Sequence, residues 1–219
     1  MLLTLAVGLA VAPAAAQAAT SHVVLAGGCF WGMQAVFESL RGVTHVVAGF
    51  SGGSAASAHY DIVSTGTTGH AESVDVTYDP AKISFAQLLD VYFLVAHDPT
   101  ELNFQGPDEG TQYRSEIFYT SQIQRAATQR AIANLARNHV YRNPIVTVLA
   151  PFHAFYAAES YHQDYLVHNP DSPYIVYNDL PKLEALRARF PALVRADAAP
   201  MRVIAAPAGS RHRGGSSRR

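Results

Sequence analysis

The feature that most constrains the fold is a change of period at one junction. His22-Val23-Val24-Leu25-Ala26 is a short apolar run ending at Gly27-Gly28. After Cys29, residues Met33, Val36, Phe37 and Leu40 recur at helical spacing, and Gly42 closes the pattern. A buried strand, two glycines and a helix are therefore expected in that order, with Cys29 at the turn between them. The pattern then continues. Val43 to Phe50 reads as a strand ending in Ser51-Gly52-Gly53, followed by a polar loop to about Gly69. Ser73 to Tyr78 alternates as a half-buried strand and stops at Asp79-Pro80. Ser84 with Gln87 forms a capping box for a helix from Phe85 to Ala96, and Glu116 to Thr120 is a further strand.

The order is β-α-β-β-α-β, the split βαβ arrangement. The expected class is α+β: a two-layer sandwich with a ferredoxin-like core and C-terminal helical and irregular extensions. Those extensions are a helix from Gln122 to Asn138, a strand from Ile145 to Ala150, and helical pieces at Ala157 to Leu166 and Leu180 to Phe190, the last with Pro181 near its start.

A chain of 219 residues, 49% of them hydrophobic, suffices for one well-buried domain. Residues 1–18 form an apolar run ending in Ala16-Gln17-Ala18, the pattern of a signal peptide cleaved before Ala19, so a periplasmic or secreted protein is expected. The domain is placed at 19–195, and 196–219 is read as a disordered basic tail. All charge after Asp197 is basic, which leaves a mildly acidic body and argues against nucleic-acid binding as the main task.

The chain has one cysteine and so no disulfide of its own. The thiol of Cys29 is either buried and inert or kept for chemistry. A reactive thiol must be able to become a thiolate, and the unpaired amides and positive dipole end of the following helix are expected to lower its pKa. Phe30 and Trp31 follow at once. Two adjacent large rings at a helix start cannot both enter the core, so at least one, Trp31 above all, should line a pocket beside the sulfur.

At this point the motifs are recognisable. GGCFWGMQAVFESLRGV resembles the active-site segment of the A-type peptide methionine (S)-S-oxide reductases. The resemblance continues through GFSGG, TGHAESVDVTYDPAKISFAQLL, HDPTELNFQGPDEGTQYRSEIFY and AAESYHQDYL, covering His22 to about Phe190. It implies that Cys29 is the nucleophile, that Phe30 and Trp31 cage the substrate methyl group, and that Glu72 is the acid. It also implies that Tyr60 and Tyr113 are hydroxyl donors and that Asp108 helps organise the site. No cofactor or metal is implied.

The chemistry explains the combination. A sulfoxide sulfur is open to thiolate attack once its oxygen is protonated or strongly hydrogen-bonded, which calls for an acid aimed at that oxygen. Burial can raise the pKa of Glu72 enough to hold the proton at neutral pH. Tyrosine hydroxyls stabilise developing charge on the oxygen, and Cys29 finishes as a sulfenic acid.

The chain departs from the family pattern in one respect. NPDSPYIVYNDLPKLEALRARF stands where most relatives carry resolving cysteines, and it has none. The resemblance then implies resolution by an external reductant, a thioredoxin-like protein or a small thiol, with oxidised proteins and peptides carrying methionine S-sulfoxide as substrates and a monomer as the expected state. Phe104 and Pro107 stand where Arg and Asn are common in relatives.

Three rival readings make different demands. A Cys–His hydrolase would need His70 on Cys29, with Glu72 free in solvent. A zinc enzyme built on His70-Ala71-Glu72 would need a P-C-x-x-C segment that the chain lacks. A binding protein that grips methionine would show an aromatic pocket without turnover.

Overall fold

The computed structural model describes residues 20–198. The expected signal peptide and nearly all of the basic tail lie outside the described residues.

The fold is α+β, a six-stranded mixed sheet with helices. In chain order the elements are β1 (Ser21–Ala26), α1 (Phe30–Glu38), β2 (Val43–Ser51), α2 (Tyr60–Val63), β3 (Ala71–Tyr78) and α3 (Phe85–Val91). They continue with β4 (Phe104–Gln105), β5 (Asp108–Glu109), β6 (Glu116–Tyr119), α4 (Gln122–Arg137), β7 (Val148–Pro151), β8 (Phe155–Ala157), α5 (Tyr165–His168) and α6 (Leu180–Arg189). The large sheet runs β7-β6-β1-β3-β2-β8. β1 is antiparallel to both β3 and β6, β2 is antiparallel to β3 and β8, and the β6–β7 pair is parallel.

β1 lies in the interior of the sheet, which explains its unbroken apolar run. Val23 and Leu25 point into the main core under the helices, while Val24 and Ala26 join a smaller cluster with Ala71 and Phe118 on the other face. Covered on both faces, the strand needs no polar alternation. β3 alternates: Val74 and Val76 join the main core, and by the same period of two Glu72 points to that face. The capping box forms as expected, with Ser84 Oγ accepting from the Gln87 amide at 3.2 Å and Gln87 Oε1 accepting from the Ser84 amide at 2.9 Å.

Two expectations are corrected. The predicted helix from Phe85 to Ala96 widens into a π-helical turn over Tyr92–Ala96. Buried Tyr92 there reaches the Ala26 carbonyl at the end of β1 at 2.7 Å, which fixes that end of the strand. The helical pieces expected at Ala157 to Leu166 are shorter and displaced toward the C-terminal end of that segment. β8 ends at Ala157, a single turn covers Ser160–His162, and α5 begins only at Tyr165. Side chain to backbone bonds compete with helix formation here. Gln163 binds the Ala48 amide and carbonyl in β2, each at 2.9 Å, and so ties the segment to the sheet edge.

The C-terminal segment returns over α1. Ile175–Asp179 forms a second π-helical turn leading into α6, whose Leu183 and Leu186 are buried against the core. Burial of each such leucine contributes about 2 kcal/mol. Pro181 sits in the first turn, where its missing N–H costs no helical bond.

Candidate active site

The turn from β1 into α1 brings the sulfur to the edge of the core. Gly28 has φ +88° and lies against Gln105, and Gly27 packs on the imidazole of His97. A side chain at either position would collide with those groups, so the two glycines allow the loop after α3 to close on the turn. His97 is locked in place: its Nδ1–H donates to the Tyr92 carbonyl at 3.0 Å, and its Nε2 accepts from Ser115 at 2.7 Å. Burial pushes its pKa down to about 3, so it stays neutral.

Cys29 is 7% exposed and stands immediately before α1. The expected lowering of its pKa is overturned. Burial pushes the thiol well above its ordinary value, and the charges of Glu72 and Asp179 push the same way. The Trp31 amide and Lys182 act in the opposite direction and are outweighed. The reason is local. The first amide of α1, that of Phe30, is spent on Glu72 Oε2 at 3.1 Å, which leaves the helix end less able to stabilise a thiolate.

Glu72 is 2% exposed, not free in solvent as the hydrolase reading requires. Burial pushes its carboxyl up to about 8, against the Phe30 amide, with the charge of Asp108 adding to the rise. At neutral pH it is predominantly a carboxylic acid.

The aromatic residues divide. Phe30 is fully buried and forms a floor rather than a pocket rim, with ring centroids 5.1 Å from His162, 5.8 Å from Phe50 and 6.4 Å from Tyr60. Trp31 is partly exposed and stacks on Tyr165 at 3.7 Å, with the edge of Tyr174 at 5.6 Å. Its Nε1–H donates to His162 Nδ1 at 3.1 Å.

Tyr60 opens α2 inside the stretch expected to be irregular. Burial pushes its pKa up to about 12, with Glu72 and Cys29 adding. The Tyr113 pKa is raised by burial and then by Glu72, Asp108, Tyr60 and Cys29 together, so these five groups lie within electrostatic reach of one another. Both hydroxyls remain protonated donors. Asp108, on β5, accepts a hydrogen bond from the Tyr174 hydroxyl. Burial raises its pKa, partly offset by that bond and by Lys182. The six other residues singled out from the sequence thus assemble around Cys29.

His70 does not. It is buried away from the sulfur, its Nδ1 accepting from the Gly53 amide at 3.2 Å and its Nε2 lying 2.9 Å from the Ser54 carbonyl. The hydrolase reading fails on that geometry. Among the described residues no group of three His, Cys, Asp or Glu is placed to hold a metal ion.

Sequence reasoning missed four neighbours of the site. His162, 2% exposed, touches Phe30, Trp31 and Tyr60, with ring centroids 4.1 Å apart in the last pair. Tyr165 backs Trp31, and Tyr174 holds Asp108. Asp179, fully buried, binds Lys182 Nζ at 3.1 Å and presses on Gly32 in the first turn of α1. The available signal for the first two was the segment AAESYHQDYL, where aromatic and polar residues cluster without a period.

The site defines a thiol enzyme with a buried acid and an aromatic wall. The model of the family described as peptide methionine sulfoxide reductase matches residues 21–193. A relative from Mesorhizobium japonicum, peptide methionine sulfoxide reductase MsrA 2, is 55% identical over 170 residues, or 78% of this chain and 87% of that one. Among solved structures, reduced Mxr1 from Saccharomyces cerevisiae is 34% identical with a TM-score of 0.65, covering 69% of this chain and 87% of its own. Methionine sulfoxide reductase A of Corynebacterium diphtheriae is 35% identical with a TM-score of 0.61, covering 70% and 77%. The chain belongs to the peptide methionine sulfoxide reductase family and is an enzyme of that family.

Proposed function

We propose that the protein reduces the S epimer of methionine sulfoxide, in proteins and as the free amino acid, through a sulfenic acid on Cys29 that an external thiol resolves. The observation that carries this reading is the bond from the Phe30 amide to Glu72. It sets a buried carboxylic acid one residue from the nucleophile, beside an aromatic wall.

The first half-reaction balances within the site. Cys29–SH and the sulfoxide give Cys29–S–OH and methionine, so the thiol proton ends on the transferred oxygen. Glu72 is the relay. Protonated, it hydrogen-bonds the sulfoxide oxygen and makes the sulfur electrophilic; after delivering that proton, it takes up the one the thiol gives. The largest charge opposing a thiolate at Cys29 is the Glu72 carboxylate, so a protonated Glu72 also favours the nucleophile. Tyr60 and Tyr113 donate to the oxygen as negative charge grows on it. Trp31 and Phe30 supply an apolar slot for the methyl group. The order β-α-β-β-α-β and the central strands β6-β1-β3-β2 support reading the scaffold as a ferredoxin-like core.

In the second half-reaction a thiol attacks the sulfenic sulfur, releasing water and leaving a mixed disulfide; a second thiol restores Cys29 and departs as disulfide. The single cysteine of the chain supports an external source for both thiols. We further place the reaction in the periplasm or outside the cell, on the sequence of residues 1–18. Cell fractionation with N-terminal sequencing tests that location, and a protein recovered from the cytoplasm with Met1 intact contradicts it.

The function is tested without reductant. One equivalent of the S epimer should yield one methionine per protein and add one oxygen to Cys29 by mass spectrometry. Consumption of the R epimer, or turnover that survives Cys29→Ser, overturns the reading.

A further inference from the structure

We propose that Asp179 makes Cys29 selective for its substrate over diffusible oxidants: its buried carboxylate holds the sulfur as a thiol at rest, with Lys182 as counterweight. The inference rests on the reading above, that Cys29 attacks the sulfoxide. Asp179 touches no reacting atom in that reading. It is a positioning residue that acts on Cys29 through charge.

Asp179 ends the π-helical turn Ile175–Asp179, which packs on α1. Gly32, in the first turn of α1 after Cys29, leaves room for it. A Cβ at that position would overlap the Asp179 carboxylate and meet Lys182 Nζ at 3.0 Å. Both charges therefore reach the start of the helix that carries the nucleophile. Lys182 also borders the same cavity as Cys29.

The pair is poorly explained as a stabilising device. Asp179 is fully buried and the Lys182 side chain is 22% exposed, and an apolar pair would pack the same contact at lower desolvation cost. Its bonding is also incomplete. Lys182 Nζ donates to Asp179 Oδ1 at 3.1 Å, whereas Oδ2 is buried with no hydrogen-bond partner. A carboxylate with one oxygen unmatched, in a low-dielectric interior, acts strongly on charge that forms nearby.

Charge forms at Cys29. Glu72 and Asp179 oppose a thiolate there, the Trp31 amide and Lys182 favour one, and Asp179 outweighs Lys182. The other neighbours carry no charge at neutral pH. His97 is neutral, and burial keeps Tyr60, Tyr113 and Tyr174 protonated. Asp108 bears on Glu72 and on Asp179. Glu72 is itself mainly protonated at neutral pH. Burial raises the Asp179 pKa as well, but the ammonium bonded to it works against the rise and keeps it ionised. The standing negative charge that opposes the thiolate is thus Asp179.

Two oxidants then meet different nucleophiles. Hydrogen peroxide reacts with thiolate already present: the sulfur bonds to one oxygen, the O–O bond breaks, and hydroxide leaves and becomes water with a proton from solvent. The sulfoxide reaction instead uses the thiol proton, which ends on the transferred oxygen. A carboxylate that keeps the proton on sulfur slows peroxide in proportion to the lost thiolate and leaves the sulfoxide its proton. The protection has value in a chain with one cysteine, because no internal thiol intercepts further oxidation to sulfinic acid.

The test uses the full chain with Cys29 reduced. Iodoacetamide labelling across pH, read by mass spectrometry, gives the thiol midpoint, and peroxide oxidation and the methionine burst are timed on the same sample. Asp179→Asn leaves Lys182 uncompensated and should lower the midpoint by about one pH unit. Labelling and peroxide oxidation at neutral pH should then quicken about tenfold, and the ratio of peroxide rate to burst rate should rise by about the same factor. Adding Lys182→Met should return more than half of the midpoint shift. A merely loosened site would behave otherwise, because the second substitution would expose the sulfur further instead of reversing the first. An unmoved midpoint in Asp179→Asn, a double variant as reactive as the single one, or an unchanged rate ratio overturns the proposal. So does a parent midpoint at or below that of free cysteine, which needs no variant to fold. Failure of the function itself shows separately, as a missing methionine burst in a parent whose thiol midpoint is still high.

Discussion

The two sides of the active site are built differently. Cys29, Phe30 and Glu72 stand on β1, α1 and β3 or the turn between them, and none is more than 7% exposed. Tyr60, Asp108, Tyr113 and Tyr174 stand on a one-turn helix, a two-residue strand, a short turn and the start of the π-helical turn before α6, and all are partly exposed. The sheet side cannot adjust, because its groups are packed into the core and its acid is held by a backbone amide. The loop side is held by side-chain contacts such as Tyr174 to Asp108. In the mechanism proposed above, bond making falls on the rigid side, where geometry must be tight, and the loop side holds the oxygen and the rest of the substrate.

Substitutions can break that contrast. The largest effect is expected at Cys29→Ser, which should abolish the methionine burst, a loss of at least about 10⁴-fold.

Glu72→Gln should come next, slowing single turnover by about 10² to 10⁴-fold while keeping an acceptor for the Phe30 amide. The same variant should be more stable than the parent. The folded pKa of Glu72, about 8, lies above the unfolded value of 4.5. Between those values the unfolded chain has lost the proton that the folded chain keeps, so stability falls as pH rises through that window and levels off above 8. Removing the ionisable group should therefore restore on the order of 2 kcal/mol at pH 8 and little at pH 4, read by urea unfolding of both proteins. In the parent, the rate of the first half-reaction should fall as pH rises through about 8, and the variant should lack that fall.

On the loop side, Tyr113→Phe should cost at most about 10²-fold in single turnover, since Tyr60 still donates. A loss equal to that of Glu72→Gln would show that the two sides act as one unit and would break the comparison. The smallest effect is expected at Tyr174→Phe. Losing one hydrogen bond to Asp108 should raise KM by about fivefold and leave kcat near its parent value, as steady-state kinetics with a sulfoxide peptide would show.

How much of this was legible in the sequence follows the same division. The strand, two glycines and helix around Cys29 were readable because burial on both faces of β1 and on one face of α1 leaves a periodic record. The capping box at Ser84 was readable because its two partners sit three residues apart. Glu72 lies one residue before the strand legible from Ser73 to Tyr78, so its role came from the motif and its burial from the structure. His162 and Tyr165 left no such record: their segment is shaped by Gln163 bonding to β2, a contact 115 residues away in the chain. Asp179 was hidden for another reason. An aspartate before Leu-Pro reads as an exposed helix cap, whereas here it is buried against Gly32 and paired with Lys182. The direction of the Cys29 pKa shift was missed because the sequence displays the helix start and not the competitor for its first amide.

The stacking of Trp31 on Tyr165 has a consequence for observation. Trp31 is the one tryptophan in the chain, as Cys29 is the one cysteine. The indole emission of the whole protein therefore arises within the catalytic pocket, and any thiol-directed label lands on the reacting sulfur. Substrate entry, oxidation of the sulfur and its return to thiol can each be watched as changes in the emission of a single unmodified indole, excited to the red of the tyrosines, with no second indole or thiol contributing to the signal.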